Sequence, residues 1–330
     1  MPNMNSLLMK SLGVLLALAI VLPLSAAVEA ADSYPSRPVR FINPFPPGGA
    51  LDVTGRIIAT KLTERLGKQV LLETHAGGGG VLGAELVAKS APDGYTLLLV
   101  SASYGTNPAF YKLPFNPQKD LVPVARVGHC PFVLLVNPKV PVNSVQELIA
   151  LAKKQPGKVI CAAGGSGSST HLYSELFKIM AGIDMKMVQF KGVGLANIDV
   201  MGGHSHVLFA SLVSMIPHIK SGKLKALGVT EKKRSPVLPD VPTISESGVP
   251  EYEAYQWYGI LAPAGTPKLI IDRLNRELSG VMNSVDVKKI YETQGSETEL
   301  MGPGEFGEFI RTDIARWVKV VKEAKIKTEH

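Results

Sequence analysis

Gly78, Gly80 and Gly83 form a G-x-G-x-x-G pattern between the apolar run QVLL and the helical-looking AELVAKS. Glycines at a strand-to-helix turn let the backbone approach an anion, and the unpaired N–H groups of the helix's first turn point at it. The chemistry on offer is an anion cradle. A dinucleotide needs in addition an acidic side chain about 20 residues on, at the end of the next strand. Here that strand, YTLLLVSAS, ends in Ser101 and Ser103 with no acid. The pattern therefore argues against a nucleotide, and no cofactor is expected.

A second cluster, GGSGSSTH at 164–171, lacks the lysine of a phosphate-binding loop and has Ser168 where a hydrolase elbow needs glycine. Hydroxyls and backbone N–H groups at a helix start suit a carboxylate, with plain serine capping as the alternative. Asp52, four residues after Gly48, reads as a helix cap and not as a ligand contact. His204 and His206 would share one face of a strand, a spacing a metal could use, with His171 as an imaginable third ligand. Nothing fixes that third distance, and zinc needs three or four protein ligands, so no metal is expected. Ser168 and His171 lie three apart with no acid to orient the histidine, and no loop carries paired carboxylates. Binding is favoured over catalysis, and no catalytic residue is assigned.

The elements that must position these residues alternate strand and helix from Pro38 onward. PVRFINPF reads as a buried strand, and LDVTGRIIATKLTERLG places Val53, Ile57, Ile58, Leu62 and Leu66 on one helical face. QVLLET, a helix over 80–90 and the strand YTLLLVS follow. Such alternation means parallel strands covered by helices, with sites beyond the carboxyl ends of the strands. The loops NPFPPGGALD, THAGGGGV and SASYGTNP close the three strands, fall on one sheet edge and can face one cleft.

A second series starts after PFVLLVNP. Its first helix, SVQELIALAKKQ, has Ser144 and Glu147 at capping-box spacing. The strand KVICAAG, the loop GSGSSTH, a helix, the strands MKMVQFKG and HSHVLFAS, and KLKALGVT come next. The strand YQWYGILAP then leads into three terminal helices, at roughly 267–283, 285–294 and 303–325. The expected fold is α/β with two lobes, one formed by 31–133 and 253–330 and the other by 134–252. Short crossings near 131–136 and 255–262 join them.

Compartment follows from the first thirty residues. One lysine, the apolar core SLGVLLALAIVLPL and the small-residue end SAAVEA read as a secretory signal peptide over 1–30, too short for a membrane span. The remaining chain of about 300 residues exceeds one ordinary core, which favours two domains. Cys130 and Cys161 would occupy an oxidising space, where a disulfide is possible. The net charge of +7 is spread along the chain, and EKKRS is the one basic run. Nucleic acid is not an expected partner, while a mildly basic surface suits small anions.

Several long strings, among them YPSRPVRFINPFPPGGALD, GAELVAKSAPDGYTLLL, VNPKVPVNSVQELIALAKKQPGK, PHIKSGKLKALGVT and KRSPVLPDVPTISESGVP, resemble the Bug-type periplasmic solute-binding receptors of tripartite tricarboxylate transporters. The resemblance runs in unbroken order from residue 31 onward. It implies a type II Venus-flytrap, each lobe a mostly parallel sheet flanked by helices, that closes on a small organic acid and delivers it to membrane subunits. It also implies a periplasmic location, a monomer and no enzymatic activity. By the same resemblance the first loop, with Phe45, Pro47, Gly48 and Gly49, would hold a carboxylate. Gly78 and Gly79 and the serines Ser101 and Ser103 would sit beside it. The other lobe would contribute Ser166, Ser168, Ser169, Lys191 and Ser211. An exported hydrolase using Ser168 and His171, and a sensor subunit presenting its closed form to a signalling partner, are the alternatives.

The chain departs from the usual pattern of these receptors at Leu51, in HAGGGG, at Phe190, at Ala210 and at His206. Each change would remove polarity or negative charge near the cleft. The expected ligand is an unaminated dicarboxylate or aromatic acid, not aspartate or glutamate.

Overall fold

The computed structural model describes residues 34–47, 50–293, 295–326 and 328. The segment expected to be a signal peptide, and the loop glycines Gly48 and Gly49, lie outside the described residues. Strands β1 (Val39–Asn43), β2 (Val70–Thr74) and β3 (Thr96–Ser101) pair in parallel, with β1 in the middle. Helices α1 (Ala50–Leu66) and α2 (Val81–Ala88) make the crossovers. All six residues of β3 are buried, as its unbroken apolar run demands of an inner strand.

The same plan recurs further on. Strand β5 (Ile160–Ala163) pairs in parallel with β6 (Lys186–Gln189) and β7 (Val207–Ser211). Helices α5 (Ser169–Ala181) and α6 (Val193–Gly202) cross between them. Helix α4 (Val145–Lys154) precedes this unit and begins as expected. Ser144 Oγ accepts from Glu147 N at 3.1 Å, and the Glu147 carboxylate accepts from Asn143 N at 2.6 Å.

Strand β4 (Leu121–Val136), sixteen residues long, serves both sheets. Its residues up to Pro131 pair antiparallel with β9 (Tyr255–Pro263), which in turn pairs antiparallel with β3. From Phe132 onward it pairs antiparallel with β7 and β8 (Lys225–Val229). The hydrogen-bonded order is β2-β1-β3-β9-β4-β7-β5-β6, with β8 also on β4. Each βαβ unit is parallel, and the strands that cross between the lobes add the antiparallel pairs.

Apolar clusters lie on both faces of each sheet. Phe41, Leu97 and Leu99 meet α1 and helix α8 (Lys268–Met282) on one face of the first sheet, while Ile42, Leu98 and Val100 meet α2 and helix α10 (Pro303–Glu323) on the other. Burial at such positions stabilises by about 1.5–3 kcal/mol per large aliphatic side chain. Helix α7 (Leu212–Lys220) follows β7, and helix α9 (Val285–Thr293) follows α8. The long α10 starts against the first sheet through Phe306 and Ile310 and ends, through Trp317, Val320 and Val321, in the core of the second.

SASYGTNP differs from expectation. It is not a loop, because Ser103–Phe110 forms helix α3 with Pro108 inside it. Among the described residues no helix is long and apolar enough to cross a membrane. Neither Cys130 nor Cys161 is in a disulfide, and both are buried. Burial pushes the Cys161 thiol up to about 12, which keeps it protonated.

Candidate ligand-binding site

A cleft of about 740 Å³ opens between the lobes at the carboxyl ends of β1, β3, β5 and β7. The first lobe brings Phe45 and Pro47 from the loop after β1, Gly79 from the glycine loop, and Ser101 and Ser103 from the end of β3. The second lobe brings Ser166, Ser168 and Ser169 from the loop after β5, and Ser211 from the end of β7. Gly78 neighbours this lining without belonging to it, and Lys191 is exposed and stands apart from it.

The first loop is tied down by a buried relay. Asn43 Oδ1 accepts from Phe45 N at 3.1 Å, and Asn43 Nδ2 donates to Asp52 Oδ1 at 3.3 Å. Asp52 also accepts from Arg56 Nε at 3.0 Å. It is buried in the first turn of α1, where a carboxylate complements the helix dipole, and its charge is engaged by the fold.

The glycine loop is a short 3-10 turn over Gly78–Gly80, and its helix start closes on itself. Gly80 N and Leu82 N both donate to Gly77 O, at 3.0 and 3.4 Å. The anion cradle expected of the G-x-G-x-x-G pattern is thus largely spent on the turn. What reaches the cleft is Gly79, in the left-handed region at φ 63°. Its carbonyl accepts from Asn107 Nδ2 at 3.0 Å, which couples the loop to α3.

Across the cleft, Ser168 caps α5, as the capping reading of GGSGSSTH expects, and it also lines the cleft. Its Oγ accepts from His171 N at 3.3 Å and donates to Gly165 O at 2.7 Å. The imidazole of His171 does not serve Ser168 as a base. Nδ1 accepts from Gly167 N at 3.2 Å, and burial, with the nearby Lys178 charge, pulls its pKa down to about 4. A hydrolytic serine–histidine pair is absent here.

Three residues singled out from the sequence lie elsewhere. Ala210 is buried between Leu208 and Leu212 in the apolar layer under β7, not in the cleft. Strand alternation explains this, since it is Ser211 that reaches the cleft. Phe190 packs against that same layer. His206 sits before β7, where its Nδ1 accepts from Ile160 N at 2.9 Å, at the amino ends of strands whose carboxyl ends face the cleft. His204, His206 and His171 form no shared ligand group.

Leu51 does line the cleft, and with Phe132 and Val193 it supplies apolar surface. Asn107, Tyr111, Gln256 and Tyr258 also line it, and sequence reasoning missed them. Asn107 and Tyr111 belong to the stretch taken for a loop and to its sequel. Gln256 and Tyr258 alternate along β9 inside an apolar run, so the period-two pattern was their available signal.

Among the described residues lining the cleft, none is charged. Its polarity comes from hydroxyls, amides and helix starts. Ser103, Ser169 and Val193 are the first residues of α3, α5 and α6, and Ser211 directly precedes α7. Helix N-termini and hydroxyl donors together stabilise an anion without a formal positive charge.

The chain matches the family model described as tripartite tricarboxylate transporter family receptor over residues 54–326. It is 41% identical to protein BugT of Bordetella pertussis strain Tohama I, over 98% of this chain and all of that one. An R. palustris protein solved with adipate superposes with a TM-score of 0.78 at 33% identity, covering 89% of this chain and 99% of that one. MatC of Rhodopseudomonas palustris, solved with malate, gives 0.74 at 31%, covering 87% of this chain and all of that one. The chain therefore belongs to the tripartite tricarboxylate transporter receptor family, a family of periplasmic solute-binding proteins.

Proposed function

We propose that this protein is a periplasmic receptor that captures a small unaminated carboxylate between its lobes and delivers it to the membrane subunits of a tripartite transporter. The observation that carries the reading is the uncharged cleft, ringed by serine hydroxyls and helix N-termini. Such a ring attracts a carboxylate. It has no acid to pair with the ammonium of an amino acid, and a buried unpaired ammonium costs several kcal/mol. Leu51, Phe132, Val193 and the rings of Phe45 and Tyr111 favour a hydrocarbon or aromatic body on the ligand.

In this reading residues 1–30 direct export, and the mature chain works as a monomer. The lobes divide into 31–133 with 253–330, and 134–252. Phe45, Pro47 and Gly79 face the ligand from the first lobe together with Ser101 and Ser103, Gly78 backs that wall, and Gly48 and Gly49 are assigned to it from the sequence. Ser166, Ser168, Ser169 and Ser211 face it from the second, with Lys191 outside the lining of this form and reaching the ligand only on closure.

Calorimetry on the mature protein with succinate, adipate, benzoate and terephthalate, set beside aspartate and glutamate, tests the reading. Tight reversible binding of one or more of the first four, with no turnover, is expected. Binding confined to the two amino acids would overturn the ligand class. No heat with any member of a wide carboxylate panel would overturn the receptor reading itself.

A further inference from the structure

The geometry points to a divalent transition-metal site, of the zinc class, at the junction of the lobes, held by His129, Glu231 and Glu297. One ligand atom from each lies within 4.8 Å of the others. His129 Nε2 is 3.1 Å from Glu231 Oε1 and 3.9 Å from Glu297 Oε2. Two atoms bound tetrahedrally to one zinc ion, at about 2.0–2.2 Å each, stand about 3.3–3.6 Å apart. The two spacings from His129 bracket that value, and all three ligand atoms lie within 4.8 Å of one another.

The groups are held for each other by the fold. His129 lies on β4, and a two-way backbone bridge joins it to Glu297, His129 N donating to Glu297 O at 3.0 Å and Glu297 N to His129 O at 2.9 Å. Glu231 follows β8, two residues past the last strand position. Behind the imidazole, Glu299 Oε2 stands 3.0 Å from Nδ1 and is itself held by Arg126 at 2.8 Å. A carboxylate behind the far nitrogen is the usual support of a metal-bound histidine, because it fixes the tautomer that leaves Nε2 free to ligate.

An independent observation is that the contact of Glu231 with the imidazole is close without being satisfied. Glu231 Oε1 is a buried atom without a hydrogen bond, although it stands 3.1 Å from His129 Nε2. A buried polar atom left unpaired costs about 1–3 kcal/mol, and a charged one more. A cation among Nε2, Glu231 and Glu297 supplies the missing partner. The charges agree with this, since the carboxylates of Glu231, Glu297 and Glu299 outnumber the cations Arg126 and Lys233 beside them. Water would complete a four-coordinate shell. None of these residues lines the ligand cleft. Because Glu231 hangs from the second sheet while His129 and Glu297 belong to the first, the ion would clasp the two lobes.

Sequence inspection gave no hint of this site, because its ligands come from three segments about 100 and 66 residues apart (129 to 231, 231 to 297) and the more obvious pair in GHSHV lies elsewhere. The test is calorimetric titration of Zn²⁺ into the chelator-treated mature protein, with Co²⁺ absorption as a second readout. One ion per chain and a cobalt band are expected. His129→Ala and Glu297→Gln should each weaken uptake at least about tenfold, while a His204→Ala/His206→Ala protein binds as the wild type does. Glu297 is half exposed, so its amide variant folds even if the His129 variant does not. No uptake by the wild type, or uptake that Glu297→Gln leaves unchanged, overturns the site.

Discussion

Gly79 combines two roles that substitution can separate. Its φ of 63° is one that L side chains rarely adopt, yet a Cβ there meets only ordinary contacts, with Asn107 Oδ1 at 3.4 Å and the Tyr111 ring at 3.5 Å. The backbone, not space, is what forbids a side chain. Asparagine tolerates the left-handed region, whereas a β-branched residue pays the full penalty, about 1–2 kcal/mol or more. Gly79→Asn should therefore keep its melting temperature within a few degrees of wild type. Its ligand affinity should fall about tenfold or more, because the new side chain enters the cleft, and Gly79→Val should lose both affinity and stability. Thermal unfolding with calorimetry on the two variants checks this. Wild-type affinity in Gly79→Asn would show that the glycine serves only the turn. The serines of GGSGSSTH were legible as helix-start residues, because serine is a favoured N-cap, and the fold puts Ser166, Ser168 and Ser169 in the cleft lining. Ala210 was misplaced because one step along a strand turns a side chain to the other face.

Helix α3 shows where element-level reading failed and why. Gly105, Asn107 and Pro108 all disfavour helix, and the sum of propensities argued for a loop. Packing against α10 overrides them. A Cβ on Gly105 would collide with the Asp313 carboxylate, so the small residue is what lets the two helices approach. Asp313 is buried on α10 and accepts from both Trp257 Nε1 at 3.1 Å and Trp317 Nε1 at 2.9 Å. Burial raises its pKa to about 6, against the opposing pull of the two indoles, Arg316 and Arg126. The folded protein thus holds this proton more tightly than the unfolded chain, whose value is near 3.9. The stabilisation from the protonated form is complete below about pH 4 and is lost as pH rises through 6. Asp313→Asn should remove on the order of 2 kcal/mol of that pH dependence. Urea unfolding at pH 4.5 and pH 7 for both proteins reads it out, and parallel pH dependences would contradict it. The other helices were legible because their periodic faces are long, as in Ala50–Leu66 and Pro303–Glu323.

At the scale of the whole molecule, β4 runs through both sheets, and in a receptor that closes on its ligand the groups that meet across the cleft would set how far the lobes close. Ser169 Oγ, at the start of α5, donates to Gln256 Oε1 on β9 at 3.2 Å. This bond joins the two lobes directly at the ligand cleft, where both residues are in the lining. A neutral hydrogen bond of this kind contributes about 0.5–1.5 kcal/mol, which is a factor of two to twelve in the closed-to-open ratio. Ligand affinity scales with the fraction of protein that is competent to close, so losing the bond weakens binding without altering either lobe's core. Gln256→Ala and Ser169→Ala should each lower affinity by that factor, mainly through faster release. The double variant should lose no more than the worse single one if the bond is the shared cause. Calorimetry on the four proteins, with small-angle scattering of the unliganded forms, measures the cycle. Fully additive losses would mean instead that Gln256 and Ser169 each touch the ligand independently, and the hydrogen bond would then have no part in closure.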